Sequence, residues 1–120
     1  MVNYKNYNVW KKSHELVIYI YNTTKNFPKS EQYNLTSQMN RACISIPTNI
    51  AEGCGSKTEK ELVRFLYFSS GSAHELDYLI LISKDLGFVD KKQAELLSNE
   101  INEIKRMLAS LIKTIKKSIA

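Results

Sequence analysis

The sequence predicts an all-α fold, an antiparallel four-helix bundle in up-down-up-down order, on three observations. Four stretches carry apolar residues at spacings of three and four, the period of a helix with one buried face. Only two prolines and four glycines occur in 120 residues, and three of the glycines, Gly53, Gly55 and Gly87, stand where these stretches end. No useful length of strand-like alternation occurs, and the links are short enough to set neighbouring helices antiparallel. There is no internal repeat or low-complexity segment, so residues 1–120 read as a single domain.

Tyr4 and Tyr7 lead into a first helix over about 9–25, in which Trp10, Val17, Ile20, Tyr21 and Thr24 keep the helical period. Phe27-Pro28 closes it, and a polar connection follows to Asn34. The second helix spans about 35–52. Its apolar stripe is Leu35, Met39, Ala42, Ile46 and Ile50, and a polar stripe, Gln38, Arg41, Ser45, Asn49 and Glu52, runs beside it at the same spacing. Pro47 lies inside this helix and leaves the Cys43 carbonyl without its usual donor, which predicts a bend with that carbonyl met by water or a side chain. Gly53 and Gly55 are expected to supply the left-handed residue that ends it.

Ser56 with Glu59 reads as a capping box opening a third helix over 57–86, whose buried face is Leu62, Phe65, Leu66, Ser69, Ala73, Leu76, Leu79, Ile80 and Ser83. Gly71-Ser72 interrupts that helix with small residues, which predicts close approach of a neighbour at a cost of about 1 kcal/mol in propensity. Leu86-Gly87-Phe88 is a helix stop. Asp90 with Gln93 caps a fourth helix over 90–118, where Ala94, Leu97, Ile101, Ile104, Leu108, Leu111 and Ile115 run in near-heptad spacing.

Apolar residues make up 43% of the chain, a globular composition. No apolar run reaches the ~18 residues of a membrane span, and the N-terminus lacks a signal core, so a cytoplasmic protein without a membrane partner is expected. Cys43 and Cys54 lie roughly 16 Å apart along a continuous helix, beyond disulfide reach, and read as reduced structural thiols. A di-iron bundle needs Glu-x-x-His on two helices, but Lys11 stands three before His14 and Gly71 three before His74. No Walker pattern accompanies the helix termini, and no Ser, His and acid grouping has a nucleophilic spacing. The reading is of a non-enzyme with no metal and no cofactor.

Charge is unevenly spread: residues 1–58 carry +4, residues 59–104 carry −4 and residues 105–120 carry +5, for a net +5. Two basic ends around an acidic middle suit either an anionic partner or charge pairing between copies.

Gln38, Arg41-Ala42, Ser45-Ile46, the run Asn49-Ile50-Ala51-Glu52-Gly53, Glu61, Phe65-Leu66, Gly71-Ser72 and Glu75-Leu76 together resemble the four-helix-bundle proteins called 23S rRNA intervening-sequence proteins. The likeness runs nearly end to end, from Val9-Trp10 through Phe27-Pro28 to Leu86-Gly87. It implies a bundle encoded, in some bacteria, within insertions of 23S rRNA genes. It also implies similarity to the accessory proteins of diversity-generating retroelements, whose bundles form a five-fold barrel with a basic surface. A homo-oligomer, a pentamer, is therefore expected. Family members often carry Arg soon after the Ala-Glu-Gly block, whereas this chain has Ser56 and Lys57, so no contact of that arginine is carried over.

The candidate nucleic-acid-binding residues are Lys11 and Lys12 on the first helix and Lys105, Arg106, Lys113, Lys116 and Lys117 on the fourth, where the unopposed +5 favours RNA or DNA phosphate over mere solubility. Tyr4, Tyr7, Tyr19 and Tyr67 read as packing residues or as base-stacking ones. The polar stripe, joined by Ser72 and Glu75, reads as a buried network that fixes helix register, with Arg41 paired to a carboxylate, or as the lining of a subunit interface or ring channel. Three functions follow: a homo-oligomeric scaffold for nucleic-acid backbone, a protein-docking scaffold that never touches nucleic acid, and a small-ligand bundle.

Overall fold

A computed structural model describes residues 2–119. Four helices account for most of it: α1 (Asn8–Thr24), α2 (Leu35–Cys54), α3 (Glu59–Asp85) and α4 (Lys91–Ser118), with single 3-10 turns at Tyr4–Asn6 and Lys29–Glu31. No strand occurs among the described residues. Every helix begins and ends within two residues of its sequence-based boundary.

The ends of α3 and α4 show why. Thr58 Oγ1 accepts the Glu61 amide at 3.1 Å, so α3 is capped two residues later than the Ser56–Glu59 pairing predicts. Ser56 instead donates its hydroxyl to the Gly53 carbonyl at the end of α2. At the start of α4, Asp90 Oδ1 accepts the Gln93 amide at 2.7 Å as expected. The Gln93 side chain does not return to close the box; its amide donates to Thr23 Oγ1 of α1 at 3.2 Å. α3 ends in a Schellman turn: the Phe88 amide reaches the Ser83 carbonyl, the Gly87 amide reaches Lys84, and Gly87 takes φ +83°. Phe88 then packs on Phe27, ring centroids 5.5 Å apart, and closes that end of the bundle.

Gly53 and Gly55 do not take the left-handed conformation expected of them, and Gly87 is the one described residue with positive φ. Gly55 sits at φ −85°, still right-handed. Gly53 lies inside α2, buried, because a Cβ there would fall 2.8 Å from Leu62 Cδ1 and 2.9 Å from Phe65 Cβ. The close approach assigned by sequence to Gly71 is therefore made at Gly53. Gly71 is exposed, and nothing stands within 4 Å of where its Cβ would be.

Contacts across the helices run in opposite senses for α2 with α3, α3 with α4 and α1 with α4. Thr24 meets Asn40, Ser69 meets Ile46 and Ser83 meets Met39; Tyr67 lies by Lys116 and Asp77 by Lys105, while Lys12 lies by Glu100 and Thr23 by Gln93. The interface of α2 with α3 is the most extensive and that of α1 with α4 the thinnest. The body measures 49 × 23 × 19 Å, close to the ~42 Å length of a 28-residue helix.

Ile20, Met39, Ile46, Ile50, Leu66, Leu76, Leu97, Ile101, Ile104 and Leu108 are wholly enclosed. Near the end of α4 the seam drifts by one position, so Ile112 is buried and Leu111 only half so. Tyr21, expected on the packed face of α1, is exposed, and Phe65 is half-buried. α2 continues through Pro47 to Cys54. The carbonyl of Ile46, just before that proline, accepts the buried Ser69 hydroxyl at 2.8 Å. Ser83, also buried, donates to the Leu79 carbonyl at 2.7 Å.

α3 carries two seams at once. Leu62, Leu66, Ser69, Ala73, Leu76, Ile80 and Ser83 point inward at spacings of four and three and are all buried. Tyr67, Gly71, His74, Tyr78 and Leu81 repeat the same spacings on the outside and are all exposed.

Candidate nucleic-acid interface

Because α3 and α4 are antiparallel, the basic end of α4 lies against the first half of α3. There Tyr67, half exposed at 51%, stands between two hollows. One is bordered by Lys60, Val63, Arg64 and Ile119; the other by Ser70, Ala109, Ile112, Lys113 and Lys117; Lys116 belongs to both. The Lys116 ammonium is 3.3 Å from the Tyr67 hydroxyl oxygen and 5.8 Å from the ring centroid. The Ser118 hydroxyl lies 2.7 Å from the Ile115 carbonyl oxygen of its own helix and 3.1 Å from a Glu59 carboxylate oxygen, which brings the last turn of α4 beside the start of α3.

Five cations thus meet on one surface: Lys60, Arg64, Lys113, Lys116 and Lys117. Among the described residues only Arg64 has a carboxylate partner there, Glu61, at 3.1 Å. Both members of that pair are well exposed, and such pairs contribute little net neutralisation or stability. The Arg64 guanidinium also lies 5.0 Å from the Phe68 ring centroid and 5.5 Å from that of Phe65.

The seven basic residues singled out by sequence separate into three groups. Lys113, Lys116 and Lys117 belong to the Tyr67 surface. Lys105 is bound to Asp77 at 2.7 Å, and Lys12 lies 2.7 Å from Glu100 and 3.3 Å from Glu103, so these two are already paired. The hydrogen bond that Lys12 donates to Glu100 is the main cause that raises the Lys12 pKa. Lys11 is exposed on α1, and Arg106 borders a separate hollow between α1 and α4 with Tyr7, Met107 and Thr114. Lys60 and Arg64 escape a reading by charge blocks because they sit in the acidic middle of the chain. The signal was local: cations seven and three positions before Tyr67, on one side of a helix.

The polar stripe of α2 lies along the outer edge of its seam with α3 and does not form a buried network. Gln38, Arg41 and Glu52 are exposed, as is Glu75 on α3, while Ser45, Asn49 and Ser72 are half-buried. Arg41 has no carboxylate within ion-pair distance among the described residues. The bonds that do form are local: Ser45 Oγ donates to the Arg41 carbonyl and Asn49 Nδ2 to the Ser45 carbonyl, each at 2.8 Å. Where the edge opens to water, long side chains stay hydrated and only the short ones find backbone partners. The enclosed polar groups are instead Ser13, Thr23, Thr24, Ser69 and Ser83, each hydrogen-bonded.

Of the other aromatic candidates, Tyr4 packs edge-on to Trp10, and Tyr7 packs beside the core with its pKa raised by burial first and by Cys54 and Glu59 next. Tyr19 is exposed at the α1–α4 edge beside Leu96. His14 stacks on Trp10 at 5.0 Å, and His74 Nδ1 lies 2.8 Å from the Ser70 carbonyl oxygen. Burial pushes the Cys43 thiol up to about 12 and raises Cys54 as well, so both are poor nucleophiles at neutral pH. Among the described residues no cluster of three His, Cys, Asp or Glu side chains could hold a metal ion, and no helix is long and apolar enough to cross a membrane.

A crystal structure of a protein of unknown function from the S23 ribosomal protein family of Bacteroides thetaiotaomicron VPI-5482 superposes with a TM-score of 0.82. It is 25% identical in sequence, and the match covers 88% of this chain and 95% of that one. No curated protein matches. The family profile described as 23S rRNA-intervening sequence protein matches residues 5–110, most of the length of all four helices. The chain therefore belongs to the 23S rRNA-intervening sequence protein family.

Proposed function

We propose that this chain is a non-catalytic, homo-oligomeric bundle of the cytoplasm, a pentamer, which binds the backbone of RNA or DNA through its basic end without strong sequence choice. The observation that carries this reading is the convergence of Lys60, Arg64, Lys113, Lys116 and Lys117 on one surface, away from the carboxylates that neutralise Lys12 and Lys105. Phosphate binding draws on cations free of carboxylate partners, as the four lysines of this set are among the described residues, and releases their counterions. Membership of the family supports the reading, and the five-fold assembly follows from the resemblance.

The test joins light scattering on a sizing column with a fragment of 23S rRNA. Protein freed of nucleic acid in high salt is expected to run near five copies, to co-elute with RNA at low salt and to release it as salt rises. About four phosphate contacts weaken affinity on the order of a hundredfold between roughly 50 and 200 mM salt. Reversing charge at Lys113, Lys116 and Lys117 together is expected to abolish retention and, since none of the three packs in the core, to leave the helical fold intact. Failure of the unaltered protein to retain RNA or DNA at any salt overturns the reading.

A second reading, a protein-docking scaffold, draws on the outer seam of α3, where Tyr78 is 58% and Leu81 48% exposed beside the open surface at Gly71. Under it, the charge-reversed protein still captures its partner.

A further inference from the structure

The basic surface has an aromatic centre, and its geometry distinguishes it from a plain phosphate track. Tyr67 is not among the half-buried aromatic residues that pack against the core, as Tyr4 and Tyr7 do. Among its neighbours along α3 and across on α4, Ser70, Gly71 and Ala109 are small. A helical ring is ordinarily flanked four residues on by a side chain, and here that position is Gly71, with nothing within 4 Å of its would-be Cβ. The result is a ring with a hollow on either side, of about 460 Å³ towards Ala109 and about 530 Å³ towards Val63. Ile112 contributes an apolar wall to the first and Val63 to the second, with lysines at both rims. Phe68 is comparably exposed, but the Arg64 guanidinium already lies against it.

We propose that Tyr67 is a stacking platform for unpaired nucleobases, which makes the preferred ligand single-stranded nucleic acid, with flanking phosphates held by Lys113, Lys116, Lys117 and Lys60. The proposal rests on the backbone-binding reading and specifies its substrate. A flat base slides against the ring from either hollow, burying apolar surface that water now covers, and the lysine rims lie where the strand's phosphates run on. In a duplex the faces of the bases are stacked on one another and unavailable to a side chain, so the platform selects against paired strands. Stacking requires only a π-face, so no base is chosen over another and no base-reading motif is needed. The Lys116–Tyr67 hydroxyl bond keeps an ammonium at the ring's edge, next to the phosphate path.

The experiment measures affinity by fluorescence anisotropy for oligonucleotides of equal phosphate number: oligouridylate, oligothymidylate, the matching duplexes, and a single strand with abasic sites throughout. The unaltered protein is expected to bind both base-bearing single strands more tightly than duplex or abasic strand. Tyr67→Ala is expected to lose about five- to a hundredfold on those single strands while abasic binding and the salt slope stay unchanged. Tyr67→Phe keeps the ring and is expected to retain most of the preference. Thermal melting checks that both variants fold. If Tyr67→Ala binds base-bearing and abasic strands as the unaltered protein does, the platform is overturned while backbone binding stands. If nothing binds, even the abasic strand at low salt, both proposals fall. A large difference between uridylate and thymidylate for the unaltered protein that vanishes in Tyr67→Ala also overturns the platform, because it would mean readout of sugar or base identity at that residue.

Discussion

Glycine sets the sharpest contrast between positions that look alike in sequence. Gly53 and Gly71 both stand inside helices, and only the first is hemmed in. Of the three atoms a Cβ at Gly53 would meet, Leu62 Cδ1 at the tip of its side chain can swing away and the Leu62 carbonyl oxygen stands at 3.4 Å, but Phe65 Cβ, at 2.9 Å, is fixed to the backbone of α3. Gly53→Ala is therefore expected to destabilise the fold by about 1–3 kcal/mol, as overpacking does. Gly71→Ala fills open space in a helix and is expected to stabilise by about 0.5–1 kcal/mol. Urea unfolding of both variants checks the pair, and equal midpoints would refute the assignment. Sequence could not tell these glycines apart, because helical position says which side of a helix a residue occupies and not how near the next helix comes. The same limit applies to the charges. Lys105 and Lys12 look as available as Lys116 until Asp77 and Glu100 are seen to reach them across a helix interface.

Helix ends were far more legible, since the residues that stop and start a helix act on their own neighbours. Leu86-Gly87-Phe88 reads as a stop and is one, because only glycine takes φ +83° there without strain. Asp90 reads as a cap and accepts the Gln93 amide at 2.7 Å. Asp90→Ala is expected to cost about 1 kcal/mol, and Asp90→Asn, whose side-chain oxygen still accepts, only a few tenths. Thermal melting of the two separates a hydrogen-bonded cap from a merely charged one: if Asn loses as much as Ala, the carboxylate's charge and not its bond is the cause. The start of α3 was misplaced because Ser56 and Thr58 both precede a Glu by three, and local pattern gives no reason to prefer one. Space gives one: Ser56 already serves the end of α2. The polar stripe of α2 was likewise found correctly as a stripe, but its burial depended on how far α3 covers that edge.

Across the whole molecule, the thin interface between α1 and α4 is spanned by Lys12 with Glu100 and Glu103 and by the Thr23–Gln93 bond. The Lys12 pKa is raised above its ordinary 10.5, chiefly by the Glu100 hydrogen bond, so its contribution is complete below that pH and disappears as pH climbs through the folded-state value. Both glutamates are about half exposed, and screening keeps that contribution below about 1 kcal/mol. The stability gap between unaltered protein and Lys12→Gln is expected to be constant from neutral pH to about pH 10 and to shrink above it, as read by denaturant unfolding at each pH; a gap that widens with alkalinity would contradict the pairing. Sequence placed the four helices and most of the core at this scale. It did not place the proposed binding surface, whose members come from the acidic middle and the basic end and meet only because α3 and α4 run antiparallel. The double seam of α3 bears on a different matter, the errors this chain avoids as it folds. Two tracks of equal period on one helix, an aliphatic one with two serines and an outer one of Tyr67, Gly71, His74, Tyr78 and Leu81, offer two ways to dock it. Turned to the outer track, α3 would shut the Tyr67 and Tyr78 hydroxyls and the His74 ring away from water, each at about 1–3 kcal/mol if left unpartnered, and would strand Leu66, Leu76 and Ile80 in solvent. Ser69 and Ser83 weigh the other way in the native docking, since their small hydroxyls find the Ile46 and Leu79 carbonyls inside the core. The aromatic residues exposed on the outer face thus make the misdocked bundle unfavourable.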